Sequence, residues 1–146
     1  MITLKNGEQM SRELILKHYN DIQSNTLMET LDIVFTDVTA DCLEAQMPVN
    51  PKIHQPMGIL HGGATAALVE TVGSAIAQLF IDREKQIAKG LEITVNHLKS
   101  VKSGHIRAKA QAIHLGRSTQ IIQVDVFNET DERIAFGKMT NMILSR

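Results

Sequence analysis

The spacing of apolar residues changes several times along the chain, and each change predicts an element. Over residues 11–23, Leu14, Ile15, His18, Tyr19 and Ile22 recur at helical spacing. Ser11 stands before them as an N-cap with Glu13 close behind, which predicts a short amphipathic helix. Leu31, Ile33 and Phe35 then alternate with polar residues, as do Leu43, Ala45 and Met47. The intervening TDVTAD is turn-like, so the pair reads as a hairpin. Residues 48–57, PVNPKIHQPM, are punctuated by proline and read as a loop. From about 61 to 81 the chain is apolar on nearly every face of a helix, through Ala66, Leu68, Val69, Val72, Ile76 and Leu79. Such a helix is expected to be wrapped by other structure. Four strand-like runs follow: 88–99, the strictly alternating HIRAKAQAI, 119–127, and 133–144 beyond the turn NETDE. This order predicts an α+β domain in which a curved antiparallel sheet of about six strands wraps one long central helix.

Composition narrows what such a domain does. With 146 residues, 43% hydrophobic and 21% charged, the chain suits one soluble domain, 1–146, without repeat or linker. The formal net charge is −1 and there is no Trp, one Tyr and four Phe. No basic face or stacking platform for nucleic acid is expected. Cys42 is the only cysteine, so no intrachain disulfide can form. The N-terminal MITLKNGEQMSREL lacks the apolar run of a secretory signal. The longest apolar run contains Glu70 near its centre and is short for a membrane span. A cytoplasmic protein without a membrane partner is expected.

The chemistry concentrates in the long helix. It opens on His61-Gly62-Gly63 and carries a lone carboxylate, Glu70, among apolar neighbours. The first turn of a helix has unpaired N–H groups and the positive end of the helix dipole. Glycines there remove the side chains that would block a ligand, so Gly62 and Gly63 could aim N–H groups at a developing oxyanion. They could equally serve close backbone packing. A buried Glu70 must be hydrogen-bonded, protonated or functional. Ser74, at i+4, can donate to it, and no Lys or Arg lies within a turn. A polar contact across a subunit interface and a catalytic base or nucleophile in an apolar pocket are both open readings. Gly62 and Glu70 are eight residues apart, about 12 Å along one helix. They cannot reach one carbonyl group from the same subunit, so joint action requires two chains related by a two-fold axis.

The stretch QPMGILHGGATAALVETVGS, with GLEITVNHLKS and HLGRSTQ, closely resembles the hotdog-fold acyl-CoA thioesterases of the phenylacetate-pathway and 4-hydroxybenzoyl-CoA thioesterase type. The resemblance runs from about residue 30 to the C-terminus and leaves about 1–25 as an N-terminal helical extension. It implies hydrolysis of an acyl-CoA, aromatic or medium-chain, to the free acid and coenzyme A. Glu70 is then the nucleophile or general base, and the Gly62 N–H polarises the thioester carbonyl. His61 and Gln55 line that carbonyl and orient water or the leaving thiolate, and Ser74 positions the attacking water. The pantetheine arm is expected along Gly90, His97, Leu98, Lys99 and Ser100. The nucleotide end is expected at His114, Leu115, Gly116, Arg117, Ser118 and Thr119, with Arg117 and Lys99 near its phosphates. The acyl group is expected against Met57, Leu60 and the partner's helix. Family members are dimers, often paired into tetramers, so a homodimer at minimum is implied.

Other chemistries lack their marks. The six histidines show no i,i+4 or His-x-His pair, so no metal site is expected. No cofactor is expected either, coenzyme A being part of the substrate. Walker, dinucleotide and G-x-S-x-G patterns are absent. Two alternatives stay open: a non-catalytic acyl-CoA-binding hotdog domain, and a hotdog dehydratase. The choice of acyl group, the nucleophilic or general-base role of Glu70, and dimer against tetramer are not decided by the residues.

Overall fold

The computed structural model describes residues 1–146. The long helix, α3, runs Gly62–Ala77 and tightens into a 3₁₀ turn at Gln78–Phe80. Six antiparallel strands wrap it in the order β3-β4-β6-β7-β8-β5. They are β3 Val34–Val38, β4 Cys42–Val49, β5 Gln86–His97, β6 Gly104–Leu115, β7 Thr119–Phe127 and β8 Arg133–Ser145. Ahead of them lie a two-stranded hairpin, β1 Ile2–Thr3 with β2 Gln9–Met10, then helix α1 Arg12–Asp21 and a single helical turn, α2 Leu27–Thr30. The expected α+β architecture is the observed one.

Period-two patterning decides which sheet face meets α3. Leu43, Ala45 and Met47 of β4 are fully buried, as are Ile106, Ala108 and Ala110 of β6 and Ile122, Val124 and Val126 of β7. Ala45 pairs with Ala108 and Leu43 with Ala110 across the β4–β6 ladder, so small residues cross the centre of the concave face. The helix fills that space with Leu68, Val69, Val72 and Ile76, all at 0% exposure. By length and composition Gly62–Phe80 could cross a membrane, yet half of it is buried inside this sheet, as befits a core helix.

The wrapping is one-sided. Ala66, Ala67, Thr71 and Ser74 are only half-buried, and Glu70 is exposed in the isolated chain. The expectation of a helix wrapped on nearly every face does not hold in the single chain. The sheet is open: β5 and β3 are edge strands that each pair on one side only, and no strand covers this side of α3.

Helix α1 covers part of the remaining face. The Ser11 side chain accepts from the Leu14 N–H, as a cap should. Only Ile15 and Tyr19 of its apolar stripe are buried, while Leu14 and Ile22 stay exposed. Tyr19 Oη donates to the Ala75 carbonyl at 2.9 Å, and its ring lies 5.1 Å from that of Phe35. The Asn20 carboxamide both donates to the Phe35 carbonyl at 3.0 Å and accepts from the Phe35 N–H at 2.9 Å, clipping α1 to β3. Burial pushes the Tyr19 phenol up to about 12.

Candidate active site

The residues singled out in the sequence fall into separate cavities of one chain. Gly62, Gln55, His97, Leu98, Lys99 and Ser100 line a cleft of about 320 Å³ at the start of α3, with Leu60 and Val101 as part of its wall. Glu70 and Ser74 line a different cavity, of about 550 Å³, eight residues further along the helix. Leu115, Gly116 and Arg117 line a third, of about 540 Å³, at the other end of the helix.

The first cleft is a nest of hydrogen-bond donors. His61 is the N-cap of α3, and its Nδ1 accepts from the Gly63 N–H at 2.8 Å. That bond fixes the neutral tautomer with its proton on Nε2. The His61 carbonyl takes the Ala64 and Thr65 N–H groups, at 3.0 and 3.3 Å. The Gly62 N–H is left without a partner in the chain. A side chain at Gly62 would begin 3.0 Å from His97 Nε2, so glycine is what keeps this cleft open. Gln55 sits in the turn before α3. Its N–H donates to the Ile59 carbonyl at 2.8 Å, and its side-chain oxygen accepts from the Met57 N–H. With the oxygen spent, the Gln55 carboxamide offers the cleft its N–H groups, a second donor beside Gly62.

The second cavity is mainly apolar, with Glu70 its only charged residue and Thr71, Ser74 and Gln78 its other polar ones. Tyr19, Ile22, Leu27, Met28 and Phe35 face Glu70 there. Glu70 makes no hydrogen bond or ion pair in the chain. Ser74 Oγ lies 3.5 Å from Met139 Sδ, so it is turned from Glu70 rather than bonded to it. Glu70 Oε1 comes within 3.8 Å of where a Gly90 side chain would begin, which places Gly90 beside the carboxylate. Gly90 lies at a bulge in β5, between Gly90 and Glu92. The residues from α1 and α2 were not legible as site residues. They sit some 50 positions from Glu70 in sequence, Tyr19 being 56 from its partner Ala75, and no local signal joins them.

Of the residues expected to hold the acyl group, Leu60 belongs to the Gly62 cleft and Met57 is 82% exposed, in none of these cavities. His61 faces a shallow cleft with His54, Lys52 and Gly63. Lys99 is already paired with Glu132 at 2.7 Å, and that bond holds the Glu132 carboxyl below its ordinary range. His114 lies near the end of β6, Thr119 opens β7 and Ser118 stands in the turn between them, which the Gly116 N–H closes on the Thr119 carbonyl at 2.8 Å. No group of three metal-ligating side chains converges anywhere in the chain.

Preorganised donors and a solitary carboxylate are the kinds of group that acyl transfer to water requires. Residues 57–135 match the Thioesterase superfamily. The chain belongs to that family. It is 39% identical over 133 residues to the proofreading thioesterase EntH of Cronobacter sakazakii, covering 91% of this chain and 96% of that one. A solved mutant of thioesterase PA1618 from Pseudomonas aeruginosa superposes with a TM-score of 0.90 at 30% identity, over 99% of both chains. Thioesterase HI1161 of Haemophilus influenzae gives 0.88 at 33% identity, over 99% of this chain and 96% of that one. The helix-in-sheet architecture is that of hotdog thioesterases, and the chain is a thioester hydrolase.

Proposed function

We propose that this thioesterase hydrolyses acyl-CoA, of the phenylacetate-pathway or 4-hydroxybenzoyl-CoA type, at sites built from two copies of the chain. The observation that carries the reading is the separation of the donor cleft from the carboxylate on one helix, with each half left unpartnered. The exposed edge of β5 supplies the means of joining them. It is 12 residues long, and Leu91 upon it is 57% exposed. An unpaired edge of that length seeks a strand. Antiparallel pairing of two β5 edges about an axis near Ile93–Thr94 sets the His97 end of one against the Gly90 end of the other. Gly62 and Gln55 of one protomer then face Glu70 of its partner, and two-fold symmetry makes two such sites. A homodimer is the smallest active form, and pairing of dimers into a tetramer follows the family pattern.

In that arrangement the thioester oxygen accepts from the Gly62 N–H and the Gln55 carboxamide. Glu70 takes a proton from water as the water oxygen attacks the carbonyl carbon, or attacks that carbon itself. Ser74 holds the water. The tetrahedral carbon then reforms its carbonyl, the C–S bond breaks, and the thiolate leaves with a proton; where Glu70 attacked, water then cleaves the acyl–Glu70 anhydride to free acid and carboxylate. His61 keeps the helix start in register through its bond to Gly63. The pantetheine arm runs past Gly90 and along His97–Ser100, and Lys99 takes the phosphates. The acyl group occupies the cavity of Tyr19, Ile22, Leu27, Met28 and Phe35, whose volume of about 550 Å³ suits an aryl or medium-chain acyl group. The substrate is soluble and intracellular, and a cytoplasmic protein is consistent with it.

The test follows the release of free coenzyme A with a thiol reagent, over benzoyl, phenylacetyl and straight-chain CoAs. Wild type is expected to turn over and Glu70→Ala to lose on the order of 10³-fold in kcat/KM. Unchanged release would remove Glu70 from the mechanism, and saturable binding without turnover would leave a binding domain. A single turnover in heavy-oxygen water separates the two roles of Glu70, because only the covalent route leaves solvent oxygen in its carboxylate.

A further inference from the structure

We infer that the cavity beneath the β6–β7 turn is a second binding site, for an amphiphilic carboxylic acid with a hydroxyl at its far end. The cavity lies between the C-terminal end of α3 and the inner face of the sheet, and the N-terminal segment Ile2–Lys5 closes one side. At about 540 Å³ it falls within the range of small-molecule sites. Its walls are mostly apolar, with Leu79, Phe80 and Ile81 from the helix end and Ile143 from β8, and Thr3 and Gln86 between them.

Its floor is not. Gln120 is 2% exposed and sits on the inward face of β7, where the next inward residues are Ile122, Val124 and Val126. The carbonyl oxygen of its carboxamide has no donor. Across the ladder it opposes Asn141, 1% exposed, whose amide nitrogen has no acceptor. Buried amides in folded proteins meet a partner, in the protein or in what it binds. Here Gln120 interrupts an apolar face at the edge of an empty volume, with Asn141 beside it on the neighbouring strand. A hydroxyl, which can donate to the Gln120 oxygen, answers that floor.

The mouth has one sign of charge. Lys5 and Arg117 are the only charged residues lining the cavity, and neither is ion-paired. An anionic head at the mouth, an apolar body and a distal hydroxyl together describe a hydroxy acid. Carboxylic acids are also the product of thioester hydrolysis, so the enzyme's own reaction supplies the ligand class.

Titration calorimetry on the full chain with ω-hydroxydecanoate, decanoate and decanol tests this. Wild type is expected to bind the hydroxy acid saturably and most tightly of the three. Gln120→Leu, which completes the aliphatic floor, is expected to weaken the hydroxy acid about tenfold and leave decanoate unchanged. Lys5→Glu is expected to weaken both acids about tenfold and leave decanol unchanged. Thioester hydrolysis should persist in both variants. Should Gln120→Leu not fold, magnetisation transfer from ligand methylenes to the Ile143 methyl groups in wild type gives the same answer. No saturable binding, equal binding by all three proteins, or displacement by desulfo-coenzyme A would overturn the inference. The last outcome would return the cavity to the substrate's own path and leave the thioesterase reading intact.

Discussion

The two halves of the proposed site sit on one helix and are built in opposite ways. At the start of α3, function rests on backbone: the Gly62 N–H, free because the His61 side chain caps Gly63 instead, and a carboxamide whose oxygen is locked in a turn. At mid-helix it rests on one side chain, Glu70, in a cavity walled by residues from α1, α2 and β3. The donors themselves are set locally, by bonds that each span two residues, His61 Nδ1 with Gly63 and Gln55 Oε1 with Met57. The carboxylate half is assembled over long range and is open to solvent in a single chain. Donors need fixed direction more than surroundings, whereas a carboxylate gains its reactivity from the water that its surroundings exclude. One half is therefore complete in the monomer, and the other waits for a partner surface.

The sharpest way to break this contrast is to put each half out of action in a different chain. Inactive Glu70→Ala and inactive Gly62→Ala, mixed under conditions of subunit exchange, are expected to recover about a quarter of the wild-type sites. Half the dimers are then mixed, and each holds one intact site and one doubly damaged one. A site contained in one chain would recover nothing, so a flat assay after proven exchange would sink the two-chain arrangement. Next in size is Gly62→Ala alone. Its methyl group would begin 3.0 Å from His97 Nε2. It fills the cleft but keeps the N–H, and a fall in kcat/KM on the order of 10²-fold is expected. Steady-state kinetics with unchanged melting temperature would check it.

The carboxylate half is sharpened by its roof. Tyr19→Phe removes the bond to the Ala75 carbonyl and should cost about 1 kcal/mol, read by denaturant unfolding. The same phenol gives a pH window. Burial raises it from 10.0 to about 12, so the folded state favours the neutral form. That stability is fully present below pH 10.0 and is lost as pH climbs toward about 12. Tyr19 is the only tyrosine and the chain has no Trp, so phenolate absorbance reports this one group. Titration at the ordinary value would mean that α1 is undocked. The smallest effect belongs to the donor half. Glu132→Gln frees Lys99 from its exposed partner. It should lower KM for a CoA thioester by a factor of about two with kcat unchanged, and leave the melting temperature where it is.

The fold was legible because each element announces itself by period. HIRAKAQAI alternates, and Ile106, Ala108 and Ala110 are indeed its buried residues. Ser11 caps the first helix as its residue type suggests. Two elements were not legible: the hairpin Ile2–Thr3 with Gln9–Met10 and the one-turn helix Leu27–Thr30. Both are too short for a period to show. Within the site, Gly62, Gln55 and His97 could be named in advance and do meet in one cleft. Tyr19, Leu27, Met28 and Phe35 could not, because a loose apolar stripe does not say what it will cover.

By itself, the order of residues determined the succession of helix and strands, the face that each strand buries, and the incompatibility of Gly62 and Glu70 acting on one carbonyl from one chain. Local sterics and backbone geometry settle those matters within a few residues. Only the tertiary structure decided that Glu70 lies open to solvent, that α1 roofs its cavity, and that the Gln120 carboxamide oxygen stands unpaired beside an empty volume. Those facts depend on which distant segments come together, and free energy of burial is a property of the assembled surface, not of any stretch of chain.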